Sequence, residues 1–237
     1  MRLPSLVLAC LALTGLPTAA PAQERGPFAG LDVSVGATDG SSSTTDGGAP
    51  FAGGGVVEDV DFGATTAIGG HLGYRFSPAT SIFLSYQHLE GDVGWRVDFP
   101  LVDSSSKYDG SAVSDAVMAN VAYERPLSDR VAVRATAGAG VTFNKLSDVV
   151  ETDVDRGVFL ADVATSTRQG AVARVGAGLR YRVTPRVALG LDASIAYFGG
   201  FETGDTRSGN LGITDIVPYE IDDVWRTSLG VSIGYEF

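Results

Sequence analysis

The feature that most constrains this chain is a two-residue alternation of apolar and polar side chains that recurs eight times. In the last ten residues, SLGVSIGYEF, the odd positions from Leu229 to Phe237 are apolar, and the even positions are Ser, Gly or Glu. A period of two is that of a β-strand whose two faces meet different surroundings. The sequence therefore predicts eight strands of an all-β fold. The other seven stretches lie at 28–37, 64–76, 81–89, 116–124, 130–143, 171–183 and 186–198.

The connections between the predicted strands alternate between short and long. Three are short and contain turn-forming residues: SPAT at 77–80, PLSD at 126–129 and TPR at 184–186. Four are segments of roughly 20 residues rich in Ser, Thr, Gly and Asp, which we interpret as long loops without regular structure: 38–61, 90–110, 147–168 and 201–223. An even strand number with this alternation predicts an eight-stranded antiparallel up-and-down β-barrel, with the long loops at one end.

Two kinds of barrel fit this pattern, and the polar face distinguishes them. A soluble barrel of the lipocalin type points its apolar face inward, whereas a membrane barrel points it toward lipid. A soluble surface favours long Lys and Glu side chains, yet the chain has only two lysines, Lys107 and Lys145. The polar face instead combines Gly, Ser and Thr with arginines and carboxylates, which suits a narrow interior. The pattern therefore favours a transmembrane barrel.

Charges inside a narrow barrel must pair, because an isolated buried charge is very costly. Across the turn at 126–129, the alternation places Glu124 near Arg130 and Arg134. Across the turn at 184–186, it places Asp192 diagonal to Arg174. The alternative to a paired network is that these charges are unrelated and exposed to solvent. The predicted lumen charge network comprises Asp32, Glu124, Arg130, Arg134, Arg174, Arg180, Asp192 and Arg226.

Aromatic side chains on the apolar face fall near the two ends of the predicted strands. Two such belts are typical of a bilayer interface, where an aromatic ring has one wet edge and one apolar edge. Ordinary core aromatics are the alternative. The predicted aromatic girdle comprises Tyr74, Phe76, Tyr123, Tyr181, Tyr197 and Trp225.

The N-terminus is typical of a secretory signal peptide. Arg2 supplies a positive charge, the apolar stretch LPSLVLACLALTGL follows, and APA at 20–22 is a small-x-small cleavage site. We therefore predict a signal peptide over 1–22 and a barrel over 23–237. Cys10 is the only cysteine, and a lipidated lipobox, VLAC, is the alternative to a bystander thiol. If the signal peptide is cleaved after Ala22, the mature chain contains no cysteine and needs neither disulfides nor thiolate metal sites.

Three stretches carry a resemblance to a known family: GGHLGYRFSPATSIFLSYQHL at 69–89, VMANVAYERPLSDRVAVRATAGAGV at 117–141, and SLGVSIGYEF at 228–237. Through them the predicted barrel resembles the small outer-membrane barrels of Gram-negative bacteria, of the OmpA-like and Opa-like porin type. The resemblance implies an outer-membrane location, extracellular long loops, short periplasmic turns and no periplasmic domain. It also implies a monomer in contact with outer-membrane lipid and lipopolysaccharide.

The resemblance also gives a meaning to the last strand. In such barrels, a terminal aromatic residue with another aromatic two positions earlier is read by the barrel-assembly machinery during biogenesis. The positions that match this assembly signal are Leu229, Val231, Ile233, Tyr235 and Phe237.

The predicted long loops are strongly acidic, with 21 Asp and Glu against five Lys and Arg. The net charge of the whole chain is −11, and it becomes −12 without Arg2, which argues against nucleic acid as a partner. We predict a structural role in the cell envelope, with surface ligands contacted through the acidic loops. A narrow porin-like channel for small solutes or ions is the alternative.

An enzymatic role, such as lipid A modification by a barrel, requires a nucleophile and a base within reach. The only histidines are His71, predicted in the lumen, and His88, predicted near the rim with Glu90, and neither belongs to a His-x-Ser pair. We therefore predict no catalytic residue, no cofactor and no specific metal site. Divalent cations that bridge loop carboxylates to lipopolysaccharide phosphates stay open as an alternative.

Overall fold

The computed structural model describes residues 25–42, 45–46, 55–99, 103–210 and 212–237. The predicted signal peptide, its cleavage site and Cys10 lie outside these residues, so they stay predictions. Every regular element of the described chain is a β-strand. The described residues contain no helix with the length and apolarity needed to cross a membrane.

Eight long strands form a ring, and short strands lie at one end of it. The ring strands are β1 (Gly26–Ser41), β4 (Thr65–Arg75), β5 (Thr80–Phe99), β6 (Ser104–Pro126), β7 (Val131–Asp153), β9 (Ser166–Arg182), β10 (Val187–Tyr197) and β14 (Glu220–Glu236). The short strands are β2 (Thr45–Asp46), β3 (Gly55–Phe62), β8 (Phe159–Val163), β11 (Phe201–Glu202), β12 (Thr206–Gly209) and β13 (Gly212–Asp215).

The ring is closed by its first and last strands. Each ring strand pairs antiparallel with the ring strands before and after it. β1 also pairs with β14, which places Leu31 opposite Ile233 and Val33 opposite Val231. Closure leaves the ring without a free sheet edge. The predicted eight-stranded antiparallel up-and-down fold is confirmed.

The three short turns share one hydrogen-bond arrangement. The hydroxyls of Ser77, Ser128 and Thr184 each accept a hydrogen bond from the backbone N–H three residues later, at 3.0, 3.1 and 3.0 Å. A hydroxyl in this place satisfies a backbone donor in a tight reversal. We call this side of the ring the turn end, and the opposite side the loop end.

Large apolar side chains cover the outside of the ring. Leu31 is 64% exposed, Leu72 66% and Val231 60%. A continuous apolar surface of this kind is unfavourable in water and suits contact with lipid. Aromatic pairs with ring centroids about 5.2 Å apart lie at both ends of this apolar band: Tyr74 with Phe76 and Tyr235 with Phe237 near the turn end, and Tyr197 with Trp225 toward the loop end.

The loop end carries a folded β-structure. β5 and β6 continue as one paired arm as far as Phe99 and Ser104, well beyond the strands that the alternation predicted. The shorter strands pair around this arm and along the outer parts of β7 and β14. The four long connections are therefore present, but they form strands where we expected irregular structure. We call the described parts of 55–64, 91–113, 147–165 and 198–223 the headpiece.

The side-chain pattern inverts where the ring becomes the headpiece. Along β5 the outward positions are apolar up to Tyr86 and polar from His88 onward. The inward positions are mostly polar up to Gln87 and become apolar from Leu89 onward, because Val93, Trp95, Val97 and Phe99 are buried there. The inside of a membrane barrel is its polar side, whereas the inside of a structure in water is apolar. The inversion thus separates the two environments.

An apolar core fills the headpiece and continues down into the ring. Trp95 and Tyr108 lie at its centre, with stacked rings whose centroids are 5.3 Å apart. We call the part of this core that lies between the ring strands the plug: Leu89, Met118, Leu146, Val172 and Phe198. A smaller apolar cluster of Phe28, Phe83 and Ala122 lies nearer the turn end. Phe83, which interrupts the alternation of its strand, is accounted for by this inward cluster.

Candidate functional site in the barrel lumen

A cluster of three arginines and two carboxylates closes the lumen at the turn end. Glu124 lies at its centre and is 2% exposed. Its carboxylate accepts hydrogen bonds from Arg75 Nη1 at 3.1 Å and Arg180 Nη1 at 3.0 Å. Arg134 Nε lies 3.7 Å from the same carboxylate. Glu236 accepts from Arg75 Nη2 at 3.1 Å and Arg180 Nη2 at 2.6 Å, which joins all five side chains. Such shared, charge-assisted bonds hold guanidinium groups in fixed positions.

A polar chamber of about 80 Å³ lies beyond this cluster, toward the loop end. His71 Nδ1 lies 3.4 Å from Asp32 Oδ1 in its wall. Arg174 Nη2 donates to Asn120 Oδ1 at 3.3 Å, and Asp192 lines the same chamber. A volume of this size accommodates about five water molecules, or one small ion with a few waters.

Glycines make room for the long polar side chains of the lumen. A Cβ atom on Gly30 would lie 2.5 Å from His71 Nε2, and one on Gly69 would lie 2.6 Å from Asp32 Oδ2. Real Cβ atoms do not approach other atoms so closely. The pair of His71 and Asp32 therefore depends on a missing side chain at each of these two inward positions.

Arg226 is buried next to Ser34, which lines the chamber, and its hydrogen bonds go to neutral partners. Its side chain donates to Thr65 Oγ1 at 2.9 Å through Nε, and to Ser34 Oγ at 3.2 Å through both Nη atoms. The residue is 2% exposed. Within the described chain, no carboxylate lies within 4 Å of its guanidinium.

The plug closes the lumen on the far side of the chamber. Within the plug, between the levels of Met118 and Leu146, Ser114, Thr142 and Asn144 form a buried neutral network with hydrogen bonds of 2.6–2.7 Å. Asn144 also donates to the backbone oxygens of Phe198 at 2.6 Å and Gly200 at 2.8 Å. These bonds tie β7 to the start of the connection between β10 and β14, so the plug is held to the ring by hydrogen bonds as well as by packing.

Most of the predicted lumen charges face the interior. The structure brings Glu124 together with Arg134 and Arg180, and it places Asp192 and Arg174 in one chamber without an ion pair between them. The predicted lumen position of Arg130 is wrong. Arg130 is exposed in the turn at 127–130, because β7 begins one residue later at Val131. The remaining inward members are Asp32 and Arg226.

Two members of the turn-end cluster are absent from the predicted lumen charge network. Arg75 and Glu236 are the last residues of β4 and β14, and both share the cluster with Glu124. The alternation already assigns both residues to the polar face. If it is followed to the last residue of each strand, it predicts that they belong to the lumen charge network.

The predicted girdle and the predicted assembly signal both lie on the outer surface. Their roles stay predictions, because geometry shows only where these side chains point. Of the girdle, Tyr197 is partly buried, and the exposed members are Tyr74, Phe76, Tyr123, Tyr181 and Trp225. The exposed residues of the last strand are Leu229, Val231, Ile233, Tyr235 and Phe237.

A polar group lies on the outer surface just beyond the apolar band. His88 Nδ1 lies 2.8 Å from Asp115 Oδ1, and His88 Nε2 lies 3.0 Å from Glu90 Oε1. Tyr86 donates its hydroxyl to Asp115 at 2.6 Å. Charged side chains on the outer face are costly within hydrocarbon, so this group lies outside the spanning band. Hydrogen bonds that the ring of His88 makes to the carboxylates of Asp115 and then of Glu90 raise the pKa of His88 above its ordinary value.

The headpiece presents an acidic outer surface. An open groove of about 650 Å³ crosses β3, β5 and β6, with the cations Arg96 and Lys107 in its wall. Among the described residues, no group of three or more His, Cys, Asp or Glu side chains is arranged to hold a metal ion. The aspartates that line the groove are Asp59, Asp61, Asp92 and Asp109.

Comparisons with known proteins agree with this architecture. The family model described as "Outer membrane protein beta-barrel domain" matches residues 6–237. No curated protein sequence matches the chain. Among solved structures, the chain is similar to the outer membrane protein OprG from Pseudomonas aeruginosa, with 17% identity, a TM-score of 0.58, and coverage of 90% of this chain and 97% of that one.

Two further solved structures share the fold at low identity. Neisserial surface protein A has 13% identity and a TM-score of 0.53, with 90% of this chain and 99% of that one covered. A major outer membrane protein from Thermus thermophilus has 14% identity and a TM-score of 0.50, with 88% and 99% covered. At these identities the likeness concerns the fold alone.

Proposed function

Because the chain belongs to the outer membrane protein β-barrel family, we propose that it is a closed outer-membrane barrel that displays a folded headpiece at the cell surface. The family places the ring in the outer membrane of a Gram-negative bacterium, in contact with lipid and lipopolysaccharide. The turn end then faces the periplasm, and the headpiece faces outward. The proposed role is structural and interactive, without catalysis.

The plug is the observation that carries this proposal. Met118 is 1% exposed, Leu146 0% and Phe198 2%, so apolar side chains fill the outer part of the lumen around the buried network of Ser114, Thr142 and Asn144. Conduction of ions requires a continuous polar or hydrated path. At the turn end, Arg75 and Glu124 are each 2% exposed. These two barriers on either side of the chamber support the proposal that the lumen is closed to ions.

The headpiece supports the interactive half of the proposal. It is built on an apolar core that continues into the plug, so we infer that it forms a surface of defined shape above the membrane. Its groove carries four aspartates against two cations. A surface of this charge favours basic partners, or phosphates reached through divalent cations.

The first test is ion conductance of the refolded mature chain in planar bilayers. Folding is confirmed beforehand by the shift in gel mobility between heated and unheated samples. We expect a folded protein without discrete openings. Discrete openings of the unmodified chain would contradict closure and support the narrow porin-like channel.

A positive control opens both barriers. Met118→Ser with Leu146→Ser makes the plug more polar, and Arg75→Ala with Glu124→Ala removes two side chains of the turn-end cluster. We expect the variant with all four changes to conduct small ions. Leu84→Ser, which changes a lipid-facing position that is 55% exposed, is the matched variant and is expected to stay closed. Equal conductance of both variants would mean that the plug and the turn-end cluster are not the barriers.

The interactive half is tested in cells. A strain that lacks the chain is expected to become more sensitive to detergent, and the full chain is expected to restore resistance. A variant in which residues 93–110 are replaced by a two-residue turn is expected to insert but not to restore it. Full rescue by this shortened barrel would show that the headpiece is dispensable.

The non-enzymatic assignment rests on the surroundings of His88. Within the described chain, its hydrogen bonds go to the carboxylates of Asp115 and Glu90, and no Ser or Thr hydroxyl is bonded to it. We expect His88→Ala to leave lipid A acylation unchanged in mass spectra of the cells. An altered acylation pattern would favour an enzyme.

A further inference from the structure

The turn end of the ring carries an excess of basic side chains. Among the described residues, five arginines lie in the turns or at the strand ends outside the turn-end cluster, against one acidic side chain, Asp129. The groove of the headpiece, at the opposite end, is lined mainly by aspartates, so the two ends of the molecule differ in the sign of their charge. We call these five arginines the rim: Arg25, Arg125, Arg130, Arg182 and Arg186.

The three turns are built alike, so their residues can be compared position by position. One residue in each turn accepts, through its backbone oxygen, a hydrogen bond of 2.7–2.8 Å from the next ring strand: Ala79, Arg130 and Arg186. Two of the three equivalent positions are therefore arginines of the rim. Three residues earlier, each turn has an apolar residue whose backbone N–H donates across the turn at 2.8–3.0 Å: Phe76, Leu127 and Val183.

These three apolar residues border the apolar band of the ring. Phe76 is 47% exposed, Leu127 55% and Val183 46%. The ring of Phe76 contacts that of Tyr74, which belongs to the outward apolar face of β4. Because the turns are equivalent, Leu127 and Val183 lie at the same level. An exposed apolar side chain with a cation beside it suits the edge of a bilayer, where the apolar part contacts acyl chains and the cation stays among the headgroups.

Two arginines of the rim lie against the outer wall. Arg186 Nη1 donates to the hydroxyl of Tyr235 at 3.4 Å, and Tyr235 points outward and is 40% exposed. Arg125 lies two residues after the outward side chain of Tyr123, on the same face of β6. Within the described chain, no carboxylate lies within 4 Å of the guanidinium of Arg130 or Arg186. These two cations are therefore available to an anion beside the wall.

The surroundings of the rim favour a lipid as the source of that anion. A guanidinium group donates paired hydrogen bonds to phosphate oxygens. Lipids that surround the wall present phosphate groups at the edge of the apolar band, and a surface of anionic lipid attracts arginine. A soluble anion would leave the exposed apolar residues of the turns without a partner. A phospholipid supplies both the phosphate and the acyl chains.

From these observations we propose that the rim binds anionic phospholipids at the turn end of the barrel. Arg125, Arg130 and Arg186 donate to the lipid phosphates, and the apolar residues of the turns contact the acyl chains. The lipid fixes the depth of the turn end in the bilayer. That this lipid belongs to the inner leaflet of the outer membrane rests on the proposed function, which directs the turn end to the periplasm.

The test measures lipid selectivity by electron paramagnetic resonance. The refolded mature chain is reconstituted in phosphatidylcholine vesicles with a trace of spin-labelled lipid, and the motionally restricted fraction gives the association constant of that lipid with the barrel. We expect spin-labelled phosphatidylglycerol to associate several-fold more strongly than spin-labelled phosphatidylcholine with the same acyl chains. Equal association of the two lipids would overturn the proposal.

Three variants locate the effect, each confirmed as folded by its heat-dependent gel shift. Arg130→Gln with Arg186→Gln is expected to lose most of the selectivity. Lys107→Gln with Arg156→Gln removes two cations of the headpiece and, as the matched control, is expected to retain it. Ala79→Arg places an arginine at the third equivalent turn position and is expected to increase it. Selectivity that persists in the first variant, falls equally in the control, or is unchanged in Ala79→Arg would refute the site.

The same measurement separates lipid from free phosphate. We expect equal selectivity in inorganic phosphate and in chloride at the same ionic strength. Selectivity lost only in inorganic phosphate would mean that the rim binds the free anion, and it would contradict the proposal. The result depends neither on closure of the lumen nor on the direction of insertion. A failure here therefore leaves the closed barrel to be judged by its conductance.

Discussion

At the scale of single residues, Glu124 is the lumen carboxylate with the most arginine partners in the described chain. One buried carboxylate faces the guanidinium groups of Arg75, Arg134 and Arg180. Glu124→Gln leaves three cations with Glu236 as their only acid in the cluster. Loss of one partner from a buried ion pair typically costs about 3–5 kcal/mol. We expect a loss of this size in the free energy of unfolding, measured by urea titration.

The matched control for this change is Glu90→Gln. Its side chain is 63% exposed and bonded to His88 on the outer surface. Exposed ion pairs contribute about 0–1 kcal/mol. An equally small effect of Glu124→Gln would mean that the turn-end cluster does not stabilise the ring.

His88 gives the outer surface a pH dependence. Its pKa is raised in the folded chain, first by the hydrogen bond with Asp115 and then by that with Glu90. Its contribution to stability is therefore fully present below the unfolded pKa of about 6.5. It is lost as the pH rises through the folded pKa. We expect the urea midpoint to fall as the pH is raised from 6 to 9, and to fall less in His88→Gln. Identical pH profiles of the two chains would contradict this assignment.

The sequence determines which face a lumen residue occupies, but not which partner it meets. Alternation alone assigns Glu124, Arg134 and Arg180 to the inside, because the strand period is fixed at two. Arg130 escapes this rule, since it belongs to the turn, where parity has no meaning. The neutral partners of Arg226 were not predictable either, because Ser34 and Thr65 come from strands far away in sequence, and their register is set by closure of the ring.

At the scale of elements, the arm formed by β5 and β6 depends on Trp95. This side chain is 1% exposed, stacks on Tyr108 and also contacts the ring of Tyr219. Trp95→Ala leaves a large cavity, and changes of this type cost about 3–5 kcal/mol. The ring has its own hydrogen-bonded closure, so we expect only the headpiece to loosen. Hydrogen exchange of residues 93–110 should accelerate, while the heat-dependent gel shift of the barrel persists.

Ile213→Ala is the control for the arm. It also lies in the headpiece but is 77% exposed, so exchange should stay at the rate of the unmodified chain. Loss of the gel shift in Trp95→Ala would show that ring and headpiece fold as one unit.

The arm was missed in the sequence because its alternation is out of phase with that of the ring. Val93, Trp95, Val97 and Phe99 follow the same period of two, but they continue the inward positions of β5. In the ring those positions are mostly polar. The partner strand carries the turn-like run SSSKYDGS, which favours a loop by composition. The composition of this segment therefore favoured a loop. The exchange of apolar and polar faces at His88 and Leu89 would have indicated that the strand continues.

At the scale of the whole molecule, charge and apolarity divide the chain into two environments. The ring is apolar outside and mildly charged inside, and the headpiece is apolar inside and acidic outside. The strands run through both without interruption. The headpiece and the ring therefore share one set of backbone hydrogen bonds. Because the sheet is continuous, it holds the headpiece above the membrane.

The end of the last strand allows assembly to be separated from stability. Phe237 is 73% exposed, and its ring contacts Tyr235 at 5.2 Å. Its contribution to the folded ring is small, yet we predict that the assembly machinery reads it. We expect Phe237→Ala to refold in detergent like the unmodified chain, but to accumulate less as heat-shifted barrel in outer-membrane fractions of cells. Phe76→Ala changes another exposed aromatic residue of the turn end and should accumulate normally. Equal accumulation of the two variants would mean that the terminal aromatic residue acts only as a lipid-facing side chain.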